Sequence, residues 1–314
     1  MTLKLGNITT IVISSPQLAK EVLHKHDKTF CDRQTPDTLT AMDHHKVSVI
    51  WLPLRKKWRN LRRICADNLF SIQKLDSTQV LRQKKVQELL DFVKEKSEKG
   101  ESLDMSNAAF ITDLFNAGID TTSSMIEWTM AELVRNPKEL KKVREELHQV
   151  PGKEQQIEES HISKLPFLRA VVKETFRLHP PAPLLLPHKS PQEDIELCGF
   201  MVPKNAQVLV NVWGMGRDSS IWTNPNEFMP QRFLESNIDF RGNDFELIPF
   251  GAGRRICPGL PLAFRSVHIV LASLLYGYDW KLPNELEAKD IDMSEKFGIT
   301  LHKAQPLQII PIKS

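Results

Sequence analysis

A single cysteine at the end of a glycine-rich loop is the feature that most constrains this chain. Residues 250–259 read FGAGRRICPG, and apolar residues at helical spacing continue from there to about Leu275. Glycines let backbone N–H groups approach the sulfur, and the positive end of a helix dipole stabilises a negative charge there. The pattern therefore predicts that Cys257 is a thiolate near neutral pH and a soft ligand for iron.

The order of residues in this loop, F-x-x-G-x-R-x-C-x-G, resembles the haem-binding loop of the cytochromes P450. In that family the cysteine is the axial ligand of the haem iron. The resemblance implies haem b as the cofactor, with Cys257 on the iron and Phe250 and Arg255 beside it. A cysteine protease is disfavoured, because nothing near Cys257 matches a nucleophile motif of that class.

The octet AGIDTTSS at 117–124 interrupts a good helix with glycine and hydroxyl residues. The side chains of such residues hydrogen-bond to carbonyls of the helix and favour a local bulge. This bulge is either a packing site for a neighbouring helix or a groove. The octet resembles the oxygen-activation motif of the same family. That resemblance implies a groove for dioxygen, with Asp120 and Thr121 passing protons to it.

Glu174 and Arg177 lie three residues apart in a helical pattern and share a face. By itself the pair is best explained as a surface ion pair. It also resembles the family's E-x-x-R motif, which implies that Arg232 joins it in a structural trio. Gln231 stands where family members usually have glutamate.

A basic segment at 55–63 contains Trp58 and Arg62, which match the family's W-x-x-x-R. The resemblance implies that Arg62 and Arg255 pair with haem propionates, and a guanidinium fork suits a carboxylate. His188 is a weaker candidate for the same role, since a lone histidine is as often a core or surface residue.

The other charges of this segment have three possible explanations: a solvated face, a nucleic-acid patch, or a dock for an acidic partner. Nucleic acid is disfavoured, because no base-stacking pattern accompanies them. The family receives electrons from an NADPH-dependent flavoprotein reductase, and Lys57, Arg59 and Arg63 are the residues expected to dock it.

The amino-acid sequence of several segments is similar to that of plant microsomal members of the family, and most similar to the geraniol 8-hydroxylase-like group. The resemblance implies a monooxygenase that uses dioxygen to hydroxylate a small hydrophobic substrate such as a monoterpenol. By motif position, the expected pocket walls are Ala117, Ala182, Leu185 and Ile299.

The predicted fold is mainly helical with a minor β lobe, a truncated cytochrome P450 fold in a single domain over 1–314. The helical haem cradle is predicted over 56–180 and 230–278, and β-rich segments over 1–15, 182–213 and 295–312. Helices are expected at about 56–68, 76–98, 109–135 and 166–178, with a long loop at 34–54. The four cysteines are far apart in sequence, so a disulfide framework or zinc site is disfavoured, and three of them are expected to be buried.

The family is expected on the cytosolic face of the endoplasmic reticulum membrane, held by an N-terminal anchor. No run of about eighteen apolar residues is evident here, so this chain is expected to be soluble or peripheral. The resemblance also implies lid helices between Ala109 and the octet, for which the sequence leaves no room. The alternative to an active enzyme is therefore an inactive haem-binding chain, or an incomplete coding sequence or splice form.

Overall fold

The chain is mainly helical with small sheets, which confirms the predicted fold class. A computed structural model describes residues 1–35, 45–46, 48–104, 116–150, 156–283, 286–298 and 300–313. Within these residues the α-helices are α1 (Pro16–Lys20), α2 (Lys56–Ile64), α3 (Ile72–Ser77), α4 (Gln79–Lys99), α5 (Asn116–Arg135), α6 (Pro137–Gln149), α7 (Pro166–Leu178), α8 (Val212–Met215) and α9 (Leu260–Gly277).

The strands form four small sheets. In chain order they are β1 (Thr2–Leu5), β2 (Ile8–Ile13), β3 (Leu103–Asp104), β4 (His188–Lys189), β5 (Ile195–Leu197), β6 (Phe200–Val202), β7 (Gln207–Val210), β8 (Tyr278–Lys281), β9 (Glu295–Lys296), β10 (His302–Lys303) and β11 (Gln308–Lys313). The sheets have the orders β1-β2-β7-β4, β3-β11-β8, β5-β6 and β9-β10. Within the predicted β-rich segment 182–213, β5 and β6 form a hairpin, whereas β7 pairs in parallel with the distant strand β2, with Ile11 opposite Val208.

The chain divides into two compact units, each built from three segments. The sheet unit comprises 1–74, 182–225 and 238–260, and the helical unit comprises 75–181, 226–237 and 261–314. The sheet unit holds β1-β2-β7-β4 and the cysteine loop, whereas the helical unit holds α4 to α7 and most of α9. The single domain expected from the sequence stays a prediction.

The core of the sheet unit fixes the start of the chain against the four-stranded sheet. Ser15 caps α1 by accepting a hydrogen bond from Leu18 N (3.3 Å), and Pro16 occupies the first turn. The helix continues as a π-helical turn over Glu21–Lys25. Its apolar face packs with inward residues of the strands, and the core includes Ile13, Ala19, Val22, Leu23, Phe30, Val208 and Val210.

Helix α5 is the central helix of the helical unit. It is α-helical from Asn116 to Arg135, so the bulge predicted from its hydroxyl residues is absent over this range. Residues 122–134 are all buried, and Ser124, Glu127 and Thr129 among them have hydrogen-bond partners. The predicted start of the helix near Ala109 lies outside the described residues.

Other predicted boundaries were less accurate. The basic helix ends at Ile64 and continues as a π-helical turn, Cys65–Leu69. The predicted helix at 76–98 corresponds to α4, but its first two residues belong to α3. Helix α4 ends at Gly100, whose φ of +64° is the left-handed conformation that glycine adopts most easily. Residues 36–44 and 47 of the predicted loop at 34–54 lie outside the described residues, and no α-helix or strand occurs among its described residues.

Helix α9 is mostly apolar, with Arg265 as its one charged residue apart from His268. With a mean hydropathy of 1.4 it is the one candidate membrane span among the described residues, contrary to the expectation that no segment would qualify. Half of it is buried inside the protein, and Val267 to Leu275 are buried without interruption. This burial is typical of a core helix.

Candidate functional site

The cysteine loop folds back on itself through two glycines with positive φ. Gly251 has φ +71° and Gly253 has φ +63°, and the N–H of Cys257 donates to the carbonyl of Phe250 (2.9 Å). The ring of Phe250 packs against Phe240 at a centroid distance of 5.7 Å. The loop therefore presents Cys257 just before α9 begins.

Gly253 is required at its position for two separate reasons. Its positive φ disfavours any other residue, and an added Cβ would lie 1.9 Å from the carbonyl oxygen of Leu23. We expect Gly253→Ala to destabilise the sheet unit by about 3 kcal/mol or more. Urea unfolding followed by circular dichroism measures this loss.

Gly6 offers a matched control for this substitution. It has φ +59° in the same unit, but nothing lies within 4 Å of an added Cβ. Gly6→Ala should therefore cost only the backbone strain, about 1 kcal/mol. Equal losses in the two variants would contradict the close approach of the cysteine loop to Leu23.

The surroundings of Cys257 do not by themselves produce a thiolate. Burial among protein atoms raises the pKa of the thiol, although the side chain keeps an accessible edge. The backbone N–H groups of Gly259 and Leu260 and the charge of Arg62 lower the pKa, but burial is the largest effect. The loop alone therefore does not lower the pKa of Cys257, and a bound cation would stabilise the negative sulfur.

Two arginines, Arg255 within the loop and Arg62 on α2, donate hydrogen bonds to backbone carbonyls. Arg255 donates to Cys31 O (2.7 Å) and Leu52 O (2.6 Å), and its guanidinium lies 4.8 Å from the Trp58 ring. Trp58 in turn donates from Nε1 to Val49 O (3.0 Å). Arg62 donates to the carbonyl of Ile256, next to the cysteine. The helix that carries Trp58 and Arg62 is thereby tied to the cysteine loop.

His188 is buried beside an arginine that the sequence analysis missed. Its Nδ1 lies 2.7 Å from Phe30 O, and Arg33 donates to Leu186 O (2.6 Å) and pairs with His188 in a β-bridge. Burial lowers the pKa of Arg33 to about 9, and its Nε has no hydrogen-bond partner in the described part of the chain. No motif marks Arg33, so only the fold identifies it.

These residues fit a haem. Arg33, Arg62 and Arg255 direct their hydrogen bonds to carbonyls rather than to carboxylates, so their positive charges can still stabilise an anion. The buried, unpartnered Nε of Arg33 is a donor that a carboxylate would satisfy. Cys257, in the same unit, offers the sulfur that iron prefers.

The low pKa of His188 predicts a pH-dependent stability. Burial first, and then the charge of Arg33, lower its pKa to about 3, against about 6.5 in an unfolded chain. Between these values the unfolded chain binds the extra proton, so stability is lost as pH falls from about 6.5 towards 3. We expect the wild type to lose about 2 kcal/mol through this group between pH 7 and pH 5, and His188→Gln to abolish that part of the loss.

Urea unfolding of both proteins at the two pH values measures the difference. His148→Gln, which changes an exposed histidine of α6, is the control and should keep the wild-type pH dependence. An unchanged pH dependence in His188→Gln would show that His188 is not buried in its neutral form.

Glu174 is the centre of a buried ionic network in the helical unit. Its carboxylate accepts from Arg177 Nε and NH2 (both 2.8 Å), from Arg232 Nε (3.1 Å) and from Met229 N (2.7 Å). Arg177 also donates to Glu227 O (3.0 Å). The side chains of Glu174 and Arg177 have 0% exposure, which excludes a surface ion pair.

Gln231 donates a hydrogen bond to a carboxylate, which a glutamate at this position could not do. Its Nε2 donates to Glu139 Oε2 (2.7 Å), whereas a glutamate at this position would oppose Glu139 with like charge. In this chain, the glutamine that stands in place of the family's glutamate is therefore matched by Glu139.

The other predicted site residues are distributed over both units. Asp120 is exposed and Thr121 half-buried near the start of α5, in the helical unit. Ala182 and Leu185 belong to the sheet unit, where Leu185 N donates to Ala182 O (3.0 Å) and Leu185 packs against the core. Ala117 lies in the first turn of α5 with its side chain outside the description, and Ile299 lies outside the described residues.

The surface of α2 is basic. Lys57, Arg59 and Arg63 are exposed along it. A cavity of about 360 Å³ in the same unit is lined by Lys28, Cys31, Asp32, Pro53, Leu54, Arg55, Arg59 and Arg254. This concentration of cations favours an acidic partner.

All four cysteines are free thiols, but their burial differs from the prediction. Cys31 is buried, Cys65 is half-buried and Cys198 is exposed at the turn between β5 and β6. The expectation that all three are buried is therefore wrong for Cys65 and Cys198. A hairpin turn has no neighbouring element to cover it.

Comparisons with known proteins show the family of this chain. The family model described as cytochrome P450 matches residues 1–111 and 107–309. The chain is 40% identical to geraniol 8-hydroxylase of Catharanthus roseus, covering 99% of this chain and 86% of that protein. It is 39% identical to cytochrome P450 76C2 of Arabidopsis thaliana, covering 100% of this chain and 85% of that protein. The structure of a zebra fish cytochrome P450 solved with progesterone matches with a TM-score of 0.86 at 21% identity, covering 100% of this chain and 96% of that chain. This match shows the fold alone.

These alignments also contain a long internal gap. The match to geraniol 8-hydroxylase runs over 427 aligned positions, whereas this chain has 314 residues, so more than 100 positions have no counterpart here. The two segments of the family match meet at residues 107–111, where the sequence predicted that lid helices are missing.

Proposed function

This chain belongs to the cytochrome P450 family, and from that premise we propose that it hydroxylates a small hydrophobic substrate of the monoterpenol class. The family is one of haem-dependent monooxygenases, so the chain is an oxidoreductase with haem as its cofactor. The observation that carries the proposal is the loop that holds Cys257 before α9 with Arg62 beside it.

The proposed roles in the sheet unit follow from the chemistry of each side chain. Cys257 ligates the iron, and Arg62, Arg255 and His188, together with Arg33, hold the propionates. Trp58 and Phe250 supply flat apolar faces beside the ring. When bound, haem activates dioxygen so that one oxygen atom enters a C–H bond and the other leaves as water.

In the helical unit we assign proton delivery to Asp120 and Thr121. The exposed carboxylate of Asp120 can take protons from solvent, and the Thr121 hydroxyl can both accept and donate a hydrogen bond. Glu174, Arg177 and Arg232 act structurally. Overall the substrate, dioxygen, NADPH and a proton give the hydroxylated product, water and NADP⁺.

The substrate class rests on the relatives named geraniol 8-hydroxylase, from Catharanthus roseus and Swertia mussotii. We assign the pocket walls to Ala117, Ala182, Leu185 and Ile299, whose apolar side chains suit a terpenoid chain. A redox partner is implied by the family. We assign its docking to the basic surface of α2, which suits an acidic NADPH-dependent reductase at the cytosolic face of the endoplasmic reticulum membrane.

The carbon monoxide difference spectrum of the reduced, haem-loaded chain tests the proposal. A thiolate-ligated iron gives a red-shifted Soret band, whereas absence of haem uptake would overturn the assignment. Hydroxylation of geraniol in the presence of a plant reductase then tests the substrate class.

A second candidate function is haem binding without turnover, and the internal gap of more than 100 aligned positions favours it. Relatives have additional chain where this protein has none, and exclusion of water from a reacting site depends on such coverage. Reduced oxygen would then leave as peroxide. The red-shifted Soret band together with peroxide release and no geraniol product would identify this function.

A further inference from the structure

The cavity of about 360 Å³ in the sheet unit is lined by two turns of the chain, the start of α2 and Arg254 of the cysteine loop. In the turn at 28–32, Cys31 Sγ donates a hydrogen bond to Lys28 O (2.9 Å). In the turn at 53–55, Arg55 N donates to Pro53 O (2.6 Å) just before α2 begins. Each turn is closed by its own hydrogen bond, so both walls of the cavity have a defined conformation.

Arg255 connects these two turns. Its guanidinium donates to Cys31 O (2.7 Å) in the first turn and to Leu52 O (2.6 Å), directly before the second. Cys31 and Leu52 are both buried. One arginine therefore holds both walls, and the shape of the cavity is formed before any ligand enters, as in most small-molecule sites.

The lining of the cavity is strongly cationic. Four of its residues are basic, namely Lys28, Arg55, Arg59 and Arg254. Asp32 is the one acid in the lining, and Arg254 pairs with Asp27 at 2.8 Å. The other three cations have no acidic partner in the part of the chain that the structure describes. A concave surface lined by one sign of charge concentrates its field and attracts small anions.

The arrangement suits a phosphate group better than a carboxylate. A phosphate monoester carries nearly two negative charges and three acceptor oxygens, whereas a carboxylate carries one charge and two oxygens in a plane. Lys28, Arg55 and Arg254 belong to three separate segments, so donors from all three are available to one ligand. A guanidinium matches a phosphate with two parallel N–H donors, and a lysine adds a point charge.

We propose that this cavity binds the phosphate group of a small ligand, either free phosphate or a small phosphate ester. Its volume lies within the range of small-molecule pockets, roughly 300–1,000 Å³. The exposed cations Lys57 and Arg63, to which we assigned partner docking, are not part of its lining. Half-buried Leu54 offers an apolar contact for the organic part of an ester.

Isothermal titration of the full chain with inorganic phosphate, at constant ionic strength and about pH 8, tests the site. Arg55→Ala should weaken phosphate binding about 5- to 10-fold, because a charged hydrogen-bond donor is lost. Arg241→Ala is the matched control and should bind like the wild type. Arg241 lies outside the cavity in the same unit, is 65% exposed and pairs with Asp239 (3.2 Å). Absence of phosphate binding in the wild type, or equal weakening in the two variants, would overturn the proposal.

Neutralisation of the acid in the lining should have the opposite effect. Asp32→Asn removes a charge that repels the anion, so phosphate should bind about 3-fold more tightly. A misfolded variant could not produce such a gain. Glu196→Gln removes an exposed carboxylate of β5 in the same unit and should leave the affinity unchanged. Unchanged or weaker binding in Asp32→Asn would place the phosphate outside this cavity and overturn the assignment.

Two further ligands define the chemistry of the site. Acetate at equal concentration should not displace phosphate, and displacement would show that the cations recognise any anion. Phenyl phosphate separates the two sources: binding at least about 3-fold tighter than inorganic phosphate assigns the site to an ester, and equal binding assigns it to free phosphate. None of these titrations requires haem or turnover, so their outcome is independent of the proposed function.

Discussion

Replacement of Cys257 by alanine is expected to abolish the red-shifted Soret band of the reduced carbon monoxide complex. Carbon monoxide bound opposite a thiolate gives that band, and no other sulfur lies within the cysteine loop. Arg255, Arg62 and the half-buried Arg33 remain in the variant and can still attract the propionates. The variant should therefore keep some haem and show an unshifted band, rather than lose the spectrum altogether.

Cys65→Ala is the control for this substitution. Cys65 is a half-buried free thiol in the π-helical turn that follows α2, in the same unit as Cys257. The Cys65→Ala variant should retain the full red-shifted band. Retention of that band in Cys257→Ala, or its loss in both variants, would contradict the assignment of Cys257 as the iron ligand.

Glu174→Gln should have the largest effect on stability. The substitution keeps the shape of the side chain but removes the negative charge that contacts both the fully buried guanidinium of Arg177 and Arg232. Breaking a buried ion pair from one side costs about 3–5 kcal/mol, because the remaining charge stays in a medium that solvates it poorly. Met229 N also loses its charged acceptor. Thermal and urea unfolding of the helical unit measure the loss.

Glu98→Gln tests whether charge removal alone has this effect. Glu98 pairs with Lys94 at 3.9 Å on α4, but its side chain is 67% exposed. Water solvates both charges there, so this variant should unfold at the wild-type midpoint. A loss below about 1 kcal/mol in Glu174→Gln would contradict a buried network, because that is the range of an exposed pair.

Much of the fold follows from local signals in the sequence. Helix α7 was predicted with its observed bounds, because Pro166 suits a first helical turn and His-Pro-Pro after Leu178 cannot continue the helix. Ser15 and Pro16 marked the start of α1 in the same way. The loop containing Cys257 was recognised because its chemistry lies within ten consecutive residues.

Contacts between segments that are distant along the chain could not be predicted from the sequence. The parallel pairing of β2 with β7 joins strands almost 200 residues apart, and no local pattern encodes it. Arg33 becomes a candidate ligand residue only because the fold buries it beside His188. The bulge predicted in α5 is absent, because tertiary packing supplies Ser124 with a carbonyl outside its own helix.

The sequence by itself therefore determined the reactive groups of this protein: a cysteine in a glycine-rich loop, an i, i+3 pair of opposite charges and hydroxyl groups on a helix, each defined by neighbouring residues. Only the tertiary structure decided the burial and the electrostatic surroundings of the side chains. It raises the pKa of Cys257, lowers that of His188 to about 3 and removes Glu174 from solvent. The physical reason is that desolvation depends on every atom around a group, whereas a motif specifies only its neighbours along the chain.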